Sequence, residues 1–125
     1  MANVPRISDA EWEVMNVVWD DHPVGAADVV ARLLSQRDWS DKTVKTLLGR
    51  LVRKGALGFD VEGRRYLYRP KVSRERCVRE ESRSFVERVF GGKASPLLAH
   101  MVRDAQLTAA EIAELRRVLD GKEAV

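Results

Sequence analysis

Ser40-Asp-Lys-Thr-Val-Lys-Thr-Leu-Leu-Gly-Arg-Leu-Val-Arg-Lys-Gly55 reads as one helix with two unlike faces. Val44, Leu47, Leu48 and Leu51 recur at i, i+3, i+4 and i+7, the apolar stripe of an amphipathic helix. Lys42, Thr43, Lys45, Thr46, Gly49, Arg50 and Arg53 lie off the stripe, with no acid after Asp41. Ser40 is placed as the N-cap, and Gly55 as the residue that closes the helix. Long cations reach phosphates and guanine edges, threonines approach bases, and glycine adds no bulk, so the polar face suits a DNA major groove. Cationic faces also occur on ordinary solvated helices. The flanking sequence decides between the two.

Charge is the first flank. The 125 residues carry a formal net charge of only +3, but it is unevenly spread. From Ser8 to Asp41 there are two cations, Arg32 and Arg37, against eight acids. From Lys42 to Arg69 there are eight cations against two acids, Asp60 and Glu62. The sign reverses where the amphipathic helix begins, which is the footprint of a nucleic-acid-binding face.

Upstream, residues Met1 to Ile7 read as a loose arm. Ser8-Asp-Ala-Glu11 is a capping box, in which each end of the motif satisfies an amide of the other. It opens a helix to about Trp19, with Trp12, Met15, Val18 and Trp19 on its buried face. Asp20-Asp-His-Pro23 ends that helix, because a proline disfavours helical geometry in the residue before it. Val24-Gly25 is an extended link. A second helix runs from about Ala26 to Ser35, with Val29, Val30, Leu33 and Leu34 apolar. Three short helices with short links form the core of a helix-turn-helix domain.

Downstream, the period changes from helical to alternating. Leu57, Phe59 and Val61 alternate with polar residues or glycine, Gly63 supplies a turn, and Arg65-Tyr-Leu-Tyr-Arg69 alternates again before Pro70. This is a β-hairpin with Arg64 and Arg65 at or near its tip. Three helices and a basic hairpin make a winged helix, whose wing arginines pair with phosphates beside the groove. Tyr66 and Tyr68 share one strand face and are expected to pack on the third helix.

A second unit begins at Ser73. Its first helix runs to about Phe90, with Val78, Phe85, Val86, Val89 and Phe90 apolar, and stops at Gly91-Gly92. Ser95-Pro96 has the form of a cap followed by proline, opening a helix with Leu97, Leu98, Met101 and Val102. Thr108-Ala-Ala-Glu111 is a second capping box, before a helix with Ile112, Leu115, Val118 and Leu119 that is expected to end at Gly121. Fewer than 50 residues with few aromatics cannot bury enough surface alone. These strips need a partner, and a second copy is the simplest one. Folding back on the winged helix in a monomer is the alternative. The fold class is therefore mainly α: a winged helix-turn-helix over residues 1–70 and a three-helix dimerisation region over 71–125. Two recognition helices in a symmetric dimer call for an inverted-repeat site on double-stranded DNA.

Lys42-Thr-Val-Lys-Thr-Leu-Leu-Gly-Arg-Leu-Val-Arg-Lys-Gly55, with Arg65-Tyr-Leu-Tyr-Arg-Pro70 and the opening Ile7-Ser-Asp-Ala-Glu-Trp-Glu-Val-Met-Asn-Val-Val-Trp19, resembles the penicillinase-repressor (BlaI/MecI/CopY) family of bacterial transcriptional repressors. The resemblance covers residues 7–70 closely and the C-terminal helices in pattern. It implies a homodimer whose winged helices bind a palindromic operator, with Lys42, Thr43, Thr46 and Arg50 at the DNA-meeting positions of the recognition helix and Arg64 and Arg65 on the wing. Lys45 and Arg53 complete the cationic set, although Arg53 and Lys54 also fit a simple solubilising role at the helix end. Copper-responsive members of the family carry a Cys-x-Cys pair, which is absent here. β-Lactam-responsive members are cut in the C-terminal domain by a membrane-bound sensor metalloprotease. The matching bond here is His100–Met101, where the family's known targets have asparagine and phenylalanine.

Other functions find little footing. Cys77 is the only cysteine, so neither an internal disulfide nor a cysteine metal cluster can form. It is expected to be a partly buried helix residue. His22, His100 and Cys77 show no spacing that suggests a nucleophile and its base, and no glycine-rich phosphate loop or metal-ligand spacing occurs. No cofactor is expected, and the chain is not expected to be an enzyme. No run approaches the ~18 apolar residues of a membrane helix, and no signal pattern opens the chain, so a cytoplasmic location is expected. Trp12, Trp19 and Trp39 suit a core edge better than base stacking, which belongs to single strands. A winged helix used for protein–protein contact, without DNA, is the second functional class. The surplus of cations over exposed aromatics argues against it.

Overall fold

The computed structural model describes residues 4–123. Six helices and three strands follow in the order α1 (Asp9–Asp20), β1 (Val24–Gly25), α2 (Ala26–Leu34), α3 (Asp41–Lys54), β2 (Leu57–Glu62), β3 (Arg65–Pro70), α4 (Arg74–Phe90), α5 (Ala94–Asp104) and α6 (Ala109–Glu123). Two compact units divide the chain, Met1–Glu81 and Ser82–Val125. The division falls within α4, whereas the sequence places it after residue 70.

The first unit is a winged helix. Val44, Leu47, Leu48 and Leu51 of α3 are buried against Val14, Met15 and Val18 of α1 and Val29, Val30 and Leu33 of α2. Burying each such aliphatic side chain contributes about 1.5–3 kcal/mol. Leu34 is exposed, because the core-facing stripe of α2 ends at Leu33. The sheet order is β1-β3-β2, all antiparallel. Val24 and Gly25 thus form a third strand, opposite Tyr68 and Leu67, rather than a plain link. In the hairpin Leu57 faces Pro70 and Glu62 faces Arg65. The loop is Gly63-Arg64, and Gly63 takes φ 63°, which suits a two-residue turn that follows the strand twist.

The expected arm is shorter than its sequence suggests. Ile7 is buried in the core and Val4 packs against it, while residues 1–3 of that segment lie outside the described residues. The buried face of α1 is also wider than expected. Val14 and Val17 join it, while Trp12 and Trp19 lie at its edge with rings 5.5 Å apart. Trp39 packs at the core edge as well.

Glu11 is buried at 1% exposure. Its Oε1 accepts the Ser8 amide at 2.8 Å, and the Glu11 amide donates to Ser8 Oγ at 3.2 Å. The same Oε1 meets the Lys54 ammonium at 2.5 Å, and Lys54 also donates to the Arg6 carbonyl at 2.9 Å. Lys54 is therefore no mere solubilising group. It ties the end of α3 to the start of α1. Burial pushes the Glu11 carboxyl up, but Lys54 and the two Ser8 donors outweigh it and hold the carboxyl below its usual 4.5. A carboxylate lowered in the folded state adds stability that is present above the unfolded value and lost as pH falls through the folded one. Denaturant melts taken from about pH 7 down to about pH 3 should show wild-type stability falling at the acid end, with a shallower fall in Glu11→Gln. Equal slopes in the two proteins would remove Glu11 from the acid response.

Cys77 on α4 is 2% exposed, more deeply buried than expected, and belongs to the core of the first unit. Burial pushes its thiol up, against the opposing Arg76 charge, which disfavours the reactive thiolate. Ser73 caps α4 by accepting the Arg76 amide at 3.1 Å.

In the second unit Gly91 and Gly92 take φ 59° and 85° after the end of α4. α5 opens differently from its sequence reading: Lys93 is the N-cap, and Ser95 and Pro96 lie within the first turn. Proline is tolerated there because a first-turn amide has no helical acceptor to lose. The Thr108 capping box forms, with both bonds between Thr108 and Glu111 in place. α6 runs through Gly121 to Glu123, since one helical glycine costs only about 1 kcal/mol.

Candidate nucleic-acid interface

Ser40 Oγ accepts the Thr43 amide at 3.1 Å and lies 3.0 Å from the Thr43 hydroxyl. At the other end Gly55, at φ 84°, stops the helix, and the Gly55 and Ala56 amides return to the carbonyls of Val52 and Leu51. Both ends of α3 are thus fixed by the residues its sequence offers for that purpose. With the leucine stripe buried, Lys42, Thr43, Lys45, Thr46, Arg50 and Arg53 are all exposed. Thr43, Thr46, Arg50 and Arg53 fall at i, i+3, i+7 and i+10, one stripe about 15 Å long at 1.5 Å per residue. Gly49 lies beside that stripe, and a Cβ there would be 3.6 Å from the Arg53 guanidinium, so Arg53 lies across it.

The wing stands next to the start of α3. Between them opens a groove of about 550 Å³, bounded by Gly25, Ala26 and Ala27, by Asp41 and Lys45, and by Arg64, Arg65, Tyr66 and Tyr68. Its rim is cationic, and one wall is aromatic. Tyr68 is buried, whereas Tyr66 is exposed. Tyr66 stacks on Phe59, with ring centroids 4.6 Å apart and planes 12° from parallel. Phe59, Val61, Tyr66 and Tyr68 share the strand face that leaves the core near Tyr68 and continues toward the tip. Burial pushes the Tyr68 phenol up and nearby Tyr66 adds to this, while Lys45 opposes it; the phenol is a neutral donor at physiological pH.

The cations are not equally available. Lys45 pairs with Asp41 at 3.1 Å, and Arg65 approaches Asp28 at 3.8 Å. Arg65 also lies across Gly25, where a Cβ would sit 2.8 Å from its Nη2. Arg69 pairs with Asp60. All these groups are exposed, so the pairs are worth little and can be exchanged for a phosphate. Arg50 and Arg64 have no carboxylate partner among the described residues. The alternation of β2 and β3 carries the signal for the aromatic wall. Nothing in the sequence signals the Asp28–Arg65 pair, which joins distant positions.

The residues assigned to dimerisation lie on exposed or half-exposed surface. Val78 is exposed on the first unit. In the second, Phe85, Val89, Leu98, Met101, Val102, Ile112, Leu115 and Leu119 are exposed, and Val86, Phe90 and Leu97 are half-buried. Phe85 and Phe90 touch, with centroids 6.1 Å apart. Neither α5 nor α6 has a buried residue. His100 and Met101 are both exposed on α5. Among the described residues no cluster of three or more His, Cys, Asp or Glu could hold a metal ion, and no helix is long and apolar enough to cross a membrane.

A sequence profile described as penicillinase repressor matches residues 7–121. The chain is 36% identical over 120 residues to the penicillinase repressor of Bacillus licheniformis, covering 96% of this chain and 94% of that protein. It is 34% identical over 117 residues to the methicillin resistance regulatory protein MecI of Mammaliicoccus sciuri, covering 94% of this chain and 95% of that one. Among solved structures it is similar to the Bacillus licheniformis BlaI monomeric form in complex with the blaP half-operator. The TM-score is 0.53 at 41% identity, over 60% of this chain and 92% of that chain.

Proposed function

The chain belongs to the penicillinase repressor family and is a DNA-binding transcriptional repressor, and on that premise we propose that it works as a cytoplasmic homodimer on an inverted-repeat operator. The observation that carries this reading is the exposed Thr43–Thr46–Arg50–Arg53 stripe beside the cation-rimmed groove of the wing. α3 enters the major groove, with Lys42, Thr43, Thr46 and Arg50 toward the bases, while Lys45, Arg53, Arg64 and Arg65 hold the phosphates on either side. The BlaI relative is described as a monomer on a half-operator; two copies of the present chain, joined through residues 82–125, take two half-sites. The exposed apolar surface of α5 and α6 supports that joining, since monomers rarely leave such contiguous patches uncovered.

Relief of repression follows from cutting the dimerisation unit at His100–Met101 by a membrane-bound sensor metalloprotease. The bond lies inside α5, so cleavage requires that helix to open locally.

Binding sites selected from random duplex DNA should converge on an inverted repeat. On that DNA log K should fall linearly with log salt, by roughly 0.9 per phosphate neutralised. Absence of DNA binding at low salt would overturn the reading. Incubating the operator complex with the cognate protease should release DNA together with a fragment ending at His100; an intact chain would remove the proteolytic step alone.

A further inference from the structure

Tyr68 lies on β3, the central strand of the sheet, opposite Val24 on one side and Phe59 on the other. Its ring centre is 5.9 Å from that of Phe59, and the residue is only 9% exposed. The hydroxyl makes no hydrogen bond among the described residues. None of their side-chain oxygens is sealed from solvent without a partner, so this one opens outward. The side chains that bear on its ionisation are Tyr66 and Lys45, and both border the groove between the wing and α3. The phenol therefore faces that groove. A hydroxyl so placed does nothing for folding, since a phenylalanine ring would pack as well and leave no donor unmet.

The same groove is bordered by Gly25, Ala26 and Ala27, where α2 begins. Gly25 is the N-cap and makes no side-chain cap, so the first turn of α2 keeps its partial positive charge for an incoming anion. Arg65 lies across Gly25, in space that a Cβ would deny it. Two acids stand nearby, but both are exposed and each is matched by a cation, Asp41 by Lys45 and Asp28 by Arg65. A helix start, a neutral phenol and the rim cations thus converge on one space, which is the chemistry of a phosphate seat.

We infer that Tyr68 is a DNA-binding residue, whose hydroxyl and the first turn of α2 together seat one backbone phosphate at the foot of the wing. The inference rests on the DNA-binding reading above, in which α3 enters the major groove and the wing follows the backbone beside it. The occupant is a phosphate of the DNA, because the groove opens beside the start of α3, the end that enters the duplex first. Arg64 and Arg65 reach phosphates through long side chains. Tyr68 and the start of α2 are fixed in the sheet and the helix, so they set where the wing comes to rest. A neutral donor displaces no counterion, and adds affinity without adding to the salt slope.

The test is Tyr68→Phe in the full chain, on the selected operator and on random duplex. Its thermal midpoint should equal or exceed that of wild type, because no bond within the protein is lost. Its affinity should fall about tenfold on both duplexes. The slope of log K against log salt should stay unchanged, whereas Arg65→Ala reduces it by about one. Operators carrying one neutral methylphosphonate, placed at each phosphate in turn, locate the contact. At one position per half-site that replacement should cost Tyr68→Phe about tenfold less than it costs wild type. A variant that binds as tightly as wild type, or that loses as much as wild type at every position, overturns the seat. So does a lowered thermal midpoint, which would show the hydroxyl bonded within the fold. If inorganic phosphate raised the midpoint of wild type alone while both proteins bound DNA equally, the site would take a free anion and the DNA assignment would fall. A wild type that binds no duplex at low salt overturns the DNA-binding reading itself.

Discussion

Leu119→Glu is expected to leave the winged helix folded and to abolish tight operator binding. Leu119 is 58% exposed on α6. It borders a largely apolar hollow of about 460 Å³ formed with Val102, Ala105, Leu107, Ile112, Leu115 and the single cation Arg116. A glutamate there meets water in the protomer, so the protomer folds as before. In a dimer that covers the hollow, the same carboxylate is stripped of water, which costs several kcal/mol that the neighbouring Arg116 only partly offsets. Dimers should therefore give way to monomers in sedimentation experiments. Each winged helix would still bind one half-site with unchanged affinity. The full operator would lose the gain from linking two sites, about 10²–10⁴-fold. A Leu119→Glu protein that stays dimeric and binds the operator as tightly as wild type would place the joining surface away from α6.

What the sequence made legible here was local and periodic. Four apolar residues at helical spacing are enough to orient α3, because burial and period are one signal. The two capping boxes and Gly55 are chemically explicit in the same way, and each does in the fold what its residues suggest. The hairpin followed from alternation. β1 did not, because two residues have no period; Val24 and Gly25 become a strand only because β3 is there to pair with them. Ser95-Pro96 misled because a cap-like pair also fits inside a first turn. Lys54 looked like surface charge because Glu11, its partner, lies far off in the chain and is buried only when α1 meets α3. The candidate interface divides likewise. Its exposed stripe is readable from α3 alone. The groove beside it, with Tyr66 and Tyr68 on its wall, and the hold of Asp28 on Arg65 arise from distant segments brought together.

That difference between the two arginines leads to a separable result for Arg50→Ala and Arg65→Ala. Arg50 stands on the exposed stripe of α3 between the threonines and Arg53, at a place where a guanidinium can take both acceptors of a guanine edge. Losing such a pair costs about 1–3 kcal/mol, roughly 5–150-fold in affinity. The loss should appear on the operator and not on random duplex, and selection repeated with Arg50→Ala should return sites relaxed at one position per half-site. Arg65 lies on the wing and begins close to Asp28, so on meeting DNA it exchanges one anion for another. Its net contribution is therefore smaller than that of a free cation, and it carries no sequence information, since phosphates are alike at every step. Arg65→Ala should weaken operator and random duplex by the same factor and reduce the salt slope by about one. Asp28 should compete with the phosphate most at low salt, where its attraction for Arg65 is least screened. If both variants weakened operator and random duplex alike, Arg50 would be a phosphate ligand and base reading would fall to Thr43, Thr46 and Lys42.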